Sequence, residues 1–215
     1  MAYSPHGFVF TPLGPAPIMD DDASTLLEAV CAERPSVDSD TLEQVVTLAV
    51  ELAREGREGR KVGTIFTVGD DERVLARSQS MILDPLAGHS EDARHVDDPN
   101  VRETLKELAL LDGAFVVSDD GVVVSAARYL DADAAGLDLP MGLGSRHRAA
   151  AAITRATDAV AVVVSESAVV RIMEDGALVA EIIPELWILN RYSSHIEAPV
   201  LTRSDDQVTV MSRVD

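Results

Sequence analysis

Three short polar stretches interrupt a chain built mainly from Val, Ala, Leu and Ile. "LLDGAF" sets Asp112 ahead of Gly113 and Ala114. "GLGSRHRAAAAI" carries Gly144, Ser145, Arg146, His147 and Arg148. "VVVSES" ends an apolar run in Ser165 and Glu166. Gly142 and Gly144 let a backbone come close to a ligand. The first turn of a helix offers unpaired N–H groups and a positive dipole end, which suit an anion. Cations at that end oppose the dipole, so Arg146 and Arg148 there imply an external anion, and a polyphosphate fits. The plain alternative is a surface arginine pair bridging to local acids. A carboxylate at a strand mouth beside small residues can hold a metal or orient a hydroxyl. Asp112 is placed for that, although Asp-Gly is also an ordinary turn pair. Ser165 and Glu166 read equally as a polar hairpin turn or as site residues. Together the three stretches describe a site for a nucleotide and a metal.

The elements that must position them follow from periodicity. Helices are expected over 22–33 and 40–55, the second with Leu42, Val45, Val46, Ala49, Leu52 and Ala53 on one face and Ser39 or Asp40 as cap. A third opens at Asp98-Pro99 and runs to about Leu110, and a fourth runs from Ser145 to about Thr157, with Ser145 able to cap it. "VGTIFTV" and "AVAVVVS" read as buried strands, and two hairpins turn at "DDG" and "EDG". Residues 78–97, with His89 and His95, read as an ordered loop. Residues 1–20 read as an arm, and 184–215 as a possible short helix around Trp187 followed by a last strand. The expected fold class is α/β, with a mixed, mostly antiparallel central sheet flanked by helices.

Composition narrows the function classes. The 37 Asp and Glu against 18 Lys and Arg give a formal net charge of -19, which argues against a nucleic-acid binder. The lysines are Lys61 and Lys106. An acidic, lysine-poor surface suits a salty cytoplasm, because salt screens self-repulsion. The single Cys31 allows no disulfide within one chain and reads as a buried thiol. The sequence carries no apolar run long enough to span a bilayer and no signal peptide pattern, so a soluble, cytoplasmic protein is expected. No Gly-Lys-Ser/Thr phosphate loop occurs. The run from Asp131 through Asp133 and Gly136 reaches Gly142 where a calcium loop needs Glu.

The motifs "LDGAFVVSDDGVVVSAARYL" and "LPMGLGSRHRAAAAITRATDAVAVVVSES", in that order, resemble the diadenylate cyclase family over roughly residues 60–182. That family carries Asp-Gly-Ala, Arg-His-Arg after Gly-Thr, and Ser-Glu-Glu motifs. The resemblance implies a catalytic domain over 60–183. Outside the resemblance, an N-terminal arm with helices over 1–59 and a C-terminal extension over 184–215, packing on the same domain, are expected. It implies condensation of two ATP into cyclic di-AMP with release of two pyrophosphates. A divalent metal, Mn²⁺ or Mg²⁺, is implied as cofactor, held by Asp112 and Glu166. Gly113 and Ala114 would line the nucleotide, with Gly144 beside it. Arg146, His147 and Arg148 would hold phosphates, Ser145 would stand for the family's Thr, and Ser165 would touch phosphate. Ser167 departs from the family's second Glu. The similarity is to stand-alone archaeal members, acting as a homodimer or larger oligomer, without nucleic acid or membrane. The alternative is an ATP or cyclic-dinucleotide sensor that binds without turnover.

Overall fold

A computed structural model describes residues 23–32, 34, 36–184, 200–204 and 209–213. Helix α1 spans Ala23–Ala32 and α2 spans Ser39–Glu55. The α2 cap is Asp38, ahead of both expected candidates, Ser39 and Asp40; its carboxylate accepts from the Thr41 amide at 2.9 Å. Gly56 ends the helix at φ 62°, donating its amide to Leu52 O at 2.9 Å. The apolar stripe expected of α2 is buried in full.

Strand β1 (Thr64–Val68) leads into the short helix α3 (Asp71–Ala76) and the three-residue strand β2 (Ser78–Ser80). Helix α3 has no counterpart among the elements expected from periodicity, and β2 and the 3-10 turn Glu91–Arg94 lie within the stretch expected to be loop. Six residues and three polar residues are too short for periodicity to register. Helix α4 (Pro99–Leu108) starts where expected. Asp98 accepts there from the amides of Asn100 and Val101 at 2.7 and 3.4 Å.

The chain continues through β3 (Ala114–Val117), β4 (Val123–Leu130), helix α5 (Ser145–Ala156), β5 (Val160–Val164), β6 (Val170–Glu174) and β7 (Ala177–Ile183). The β6–β7 turn uses Asp175 and Gly176 at φ 47° and 77°, the paired positive dihedrals that a tight hairpin needs. Strands β8 (Val200–Ser204) and β9 (Thr209–Arg213) complete it. Strand order is β2-β4-β3-β1-β5-β6-β7-β9-β8. Strands β1 and β3 are parallel, and the other pairings are antiparallel. This is the mixed, mostly antiparallel sheet expected from two hairpins. The arm over 1–20 and the helix around Trp187 lie outside the described residues.

Both faces of the sheet are covered, which explains why every residue of β1, β3 and β5 is buried. Phe66, Val68, Phe115, Val117, Val162 and Val164 face the core shared with α1, α2 and α4. Ile65, Ala114, Val116, Ala161 and Val163 face α3 and α5. Phe66 and Phe115 stack with centroids 4.8 Å apart. Alanines 150 and 151 let α5 lie close on the sheet. Cys31, on α1, is buried, and burial, reinforced by Glu43, pushes its thiol up to about 12; Arg34 acts in the opposite sense. It is a structural thiol, as expected. Among the described residues no helix is long and apolar enough to cross a membrane.

Candidate active site

Sheet register brings the three polar stretches together. Ile65 pairs with Ala114 and Thr64 with Val164. The start of β1, the start of β3 and the end of β5 therefore share one end of the sheet. The first turn of α5 sits over that end and sends Arg146 to it.

One guanidinium ties these strand ends together. Arg146 donates from Nη1 to Glu166 Oε1 at 3.0 Å and from Nη2 to Asp112 Oδ1 at 3.4 Å. Both carboxylates are largely exposed, so these pairs contribute little stability, about 0–1 kcal/mol each. Their consequence is geometric: residues 34 and 20 positions from Arg146 meet at one cation. A cavity of about 190 Å³ opens here, lined by Gly142, Gly144, Ser145, Arg146, Ser165 and Glu166 among others. A larger cavity of about 670 Å³ lies elsewhere, beside Asp38, Asp119 and Asp120. Three carboxylates make that one unsuited to phosphate.

Gly113 adopts φ 109°, and a Cβ there would fall 2.7 Å from the backbone carbon of Ala127. Strand β4 bulges at that point, with Ala127 at φ 53° and the register shifting along β3. Glycine is required because two backbones touch, and the contact aims Asp112 out from that end of the sheet. Ala114 is the first residue of β3 and is buried.

Helix α5 begins differently from the expectation. Its N-cap is Gly144, in extended conformation, and Ser145 is the first helical residue, with no side-chain cap bond. Nothing lies within 4 Å of a Cβ built on Gly144. The helix start is therefore open, and its first amides lack intrahelical partners. Arg148 is exposed, with no side-chain hydrogen bond or ion pair among the described residues.

His147 stands apart from its neighbours. It is buried, and its Nε2 lies 3.2 Å from Nη1 of Arg171. Arg171 also donates from Nε to Glu181 Oε1 at 2.8 Å, and both residues are buried. Ser165 and Glu166 occupy the β5–β6 turn. There the Ser165 amide donates to Val169 O at 3.0 Å, and the Ser167 amide donates to Ser165 Oγ at 3.2 Å. The turn is thus an ordinary polar hairpin that also lifts Glu166 into the site. Ser167 Oγ lies 2.8 Å from Ser165 Oγ.

Two features escaped the sequence reading. Gly63, just before β1, leaves the room that the Arg146 guanidinium fills; a Cβ there would lie 2.7 Å from Nη1. Nothing in "KVGTIF" marks that role. Arg171 and Glu181 did leave a signal. They are single opposite charges inside the apolar runs "AVVRIM" and "ALVAEII", and the tight β6–β7 turn puts them directly across from each other.

The sequence profile described as "DisA bacterial checkpoint controller nucleotide-binding" (DAC) matches residues 51–178, more than half of the chain. The chain belongs to the DAC family. It is similar to the diadenylate cyclase of Methanocaldococcus jannaschii, 47% identical over 150 residues, covering 69% of this chain and 47% of the relative. It is also similar to the diadenylate cyclase of Haloferax volcanii, 44% identical over 151 residues, covering 70% and 55%. The chain thus spans about half the length of these curated relatives. A solved structure from Bacillus cereus, described as a hypothetical membrane spanning protein, shares the fold with a TM-score of 0.52. It is 22% identical, and the likeness covers 72% of this chain and 70% of that one.

The residues of this DAC domain fit a divalent cation. Among the described residues no cluster of three or more His, Cys, Asp or Glu converges, but Asp112 and Glu166 do, around Arg146. Two carboxylates completed by water and substrate phosphate are the usual donor set for Mg²⁺-type ions at nucleotide sites.

Proposed function

We propose that this chain is a diadenylate cyclase that joins two ATP molecules into cyclic di-AMP and releases two pyrophosphates. The observation that carries this reading is the convergence of Asp112, Glu166 and Arg146 at the open start of α5. Curated relatives that bear the name diadenylate cyclase support it.

Each 3′-oxygen attacks the α-phosphorus of the other ATP. The O3′–Pα bond forms as the bond from Pα to the pyrophosphate oxygen breaks. Positioning and neutralisation of charge supply most of the catalysis in such a transfer. The amides of the first turn of α5, the Ser145 and Ser165 hydroxyls and Arg148 hold phosphate oxygens. Gly113, Ala114 and Gly144 line the nucleotide. Arg146 moves from its two carboxylates to the phosphates when substrate enters, since an exposed ion pair is weak. Asp112 orients the 3′-hydroxyl. A divalent metal, Mn²⁺ or Mg²⁺, held by Asp112 and Glu166, would neutralise phosphate charge and favour the 3′-alkoxide.

A cavity of about 190 Å³ is smaller than the roughly 300–1,000 Å³ usual for a whole ligand. It suits the phosphates of one ATP. A second copy facing it across a two-fold axis supplies the other ATP and closes the site. The working state is therefore a homodimer, alone or within a larger oligomer, located in the cytoplasm with its substrate. Neither nucleic acid nor membrane takes part.

Incubation of the protein with ATP and Mn²⁺ or Mg²⁺ in high salt, with products identified by mass, tests the reading. Cyclic di-AMP is expected. ATP binding without product would replace the cyclase by a sensor. Linear dinucleotide or AMP would replace it by another phosphoryl-transfer enzyme.

A further inference from the structure

The geometry points to Arg171, braced by Glu181, as a positioning residue that sets the rotation of the phosphate-holding turn through His147. It lies beneath the site and does not reach the cavity. Arg171 on β6 and Glu181 on β7 are register partners, and both are almost fully buried. A buried ion pair is weak grounds for stability, because desolvation offsets its attraction. Apolar residues of similar volume would serve the core as well. Something other than packing must account for a charged pair at this place.

The third partner supplies the reason. Arginine has five N–H donors and no acceptor. Its Nη1 lies 3.2 Å from His147 Nε2, so Nε2 accepts and the ring proton sits on Nδ1. Glu181 takes the neighbouring Nε–H at 2.8 Å and fixes the plane of the guanidinium. The histidine is thereby pinned inward on the first turn of α5. Successive helical residues are about 100° apart. Pinning His147 inward therefore throws Arg146 to one side, toward Asp112 and Glu166, and Arg148 to the other, into solvent. A turn free to roll would misplace both arginines. The unbroken Arg-His-Arg run thus divides its labour: Arg146 meets the carboxylates at the cavity, Arg148 faces solvent, and His147, at the inner wall of the cavity, is the peg.

The activity arm of this inference rests on the cyclase reading; the other two arms do not. The test compares the wild type with the Arg171→Met, Glu181→Leu double variant, which removes both charges and leaves neither unpaired. ¹⁵N-edited histidine NMR of the wild type should show His147 protonated on Nδ1; a proton on Nε2 would overturn the proposal. In the folded double variant that signature should disappear. Hydrogen exchange at the Arg148 amide, which donates to Gly144 O at 3.2 Å, should speed up. Cyclic di-AMP turnover should fall about 10- to 100-fold in kcat with KM for ATP changed only a few-fold, as expected for misplaced reacting groups. Wild-type kcat, or unchanged exchange at Arg148, in a double variant that has lost the histidine signature would overturn it. If the wild type makes no cyclic di-AMP, the cyclase reading fails, and the NMR and exchange results still decide whether Arg171 sets the turn. If the double variant does not fold, the Arg171→Lys variant takes its place, with the same readouts and the same deciding results. Its charge remains but the two-pronged donor does not.

Discussion

Gly63 and Arg146 occupy one space: a methyl group on Gly63 would stand 2.7 Å from Nη1 of Arg146 and 3.2 Å from Cγ of Glu166. The obstructing atoms are the ends of flexible side chains, so the backbone need not move. Gly63→Ala should leave thermal stability within about 1 kcal/mol, as for most substitutions outside a packed core. It should lower kcat about 10- to 100-fold by displacing the guanidinium. Melting curves and steady-state rates on the same preparation check both halves.

Gly113 and Gly144 should respond in opposite ways. At Gly113 a side chain meets backbone at 2.7 Å and φ is 109°, so Gly113→Ala should destabilise the fold by roughly 1–3 kcal/mol. Urea unfolding measures this directly. At Gly144 a Cβ meets nothing within 4 Å. Gly144→Ala should unfold close to the wild-type midpoint yet raise KM for ATP, because the methyl group occupies space the nucleotide uses.

Surface charge makes a pH-dependent contribution between α2 and α4. Hydrogen bonds from Lys106 and Arg57 hold the Glu103 carboxyl below its ordinary 4.5. A lowered carboxylate pKa stabilises the fold above the unfolded value and is lost as pH falls through the folded value. Glu103→Gln should therefore be less stable than wild type at pH 7, and the difference should close as pH drops below about 4.5. Burial opposes the charge on Lys106, but hydrogen bonds to Glu103 and Glu51 outweigh it and raise its pKa. Its contribution is present at neutral pH and fades only above 10.5. Denaturant titrations at pH 7 and pH 3.5 check the acid limb.

The net charge of -19 predicts a salt requirement. Self-repulsion across an acidic surface is screened over about 10 Å at 0.1 M salt and about 3 Å at 1 M. The folded signal in circular dichroism should weaken on dialysis into low salt and return when salt is restored. Full stability at low ionic strength would count against this.

The sequence made the main elements of this fold readable because apolar spacing and caps are local. The α2 stripe and the Asp98-Pro99 start of α4 are cases in point. The cap of α2 lies ahead of Ser39 and Asp40 because Asp38 is equally competent, and only the direction of the entering chain chooses among them. Helix α3 and strand β2 are too short to show a period. In the site, Asp112, Arg146 and Glu166 were recognisable as chemical types, but their meeting is a property of strand register. The buried setting of His147 was not recognisable, because in sequence it looks like its two arginine neighbours. Its difference arises from Arg171, 24 residues away and on the covered face.

The most direct measurement compares the wild type with Asp112→Asn, each given ATP and Mn²⁺ in high salt, with cyclic di-AMP and pyrophosphate quantified. Wild type should yield two pyrophosphates per cyclic di-AMP. Asp112→Asn should stay folded, because Asp112 is exposed, and yield no cyclic product above background. A wild type that binds ATP and makes no cyclic di-AMP, or an Asp112→Asn variant that makes it at the wild-type rate, would contradict the account.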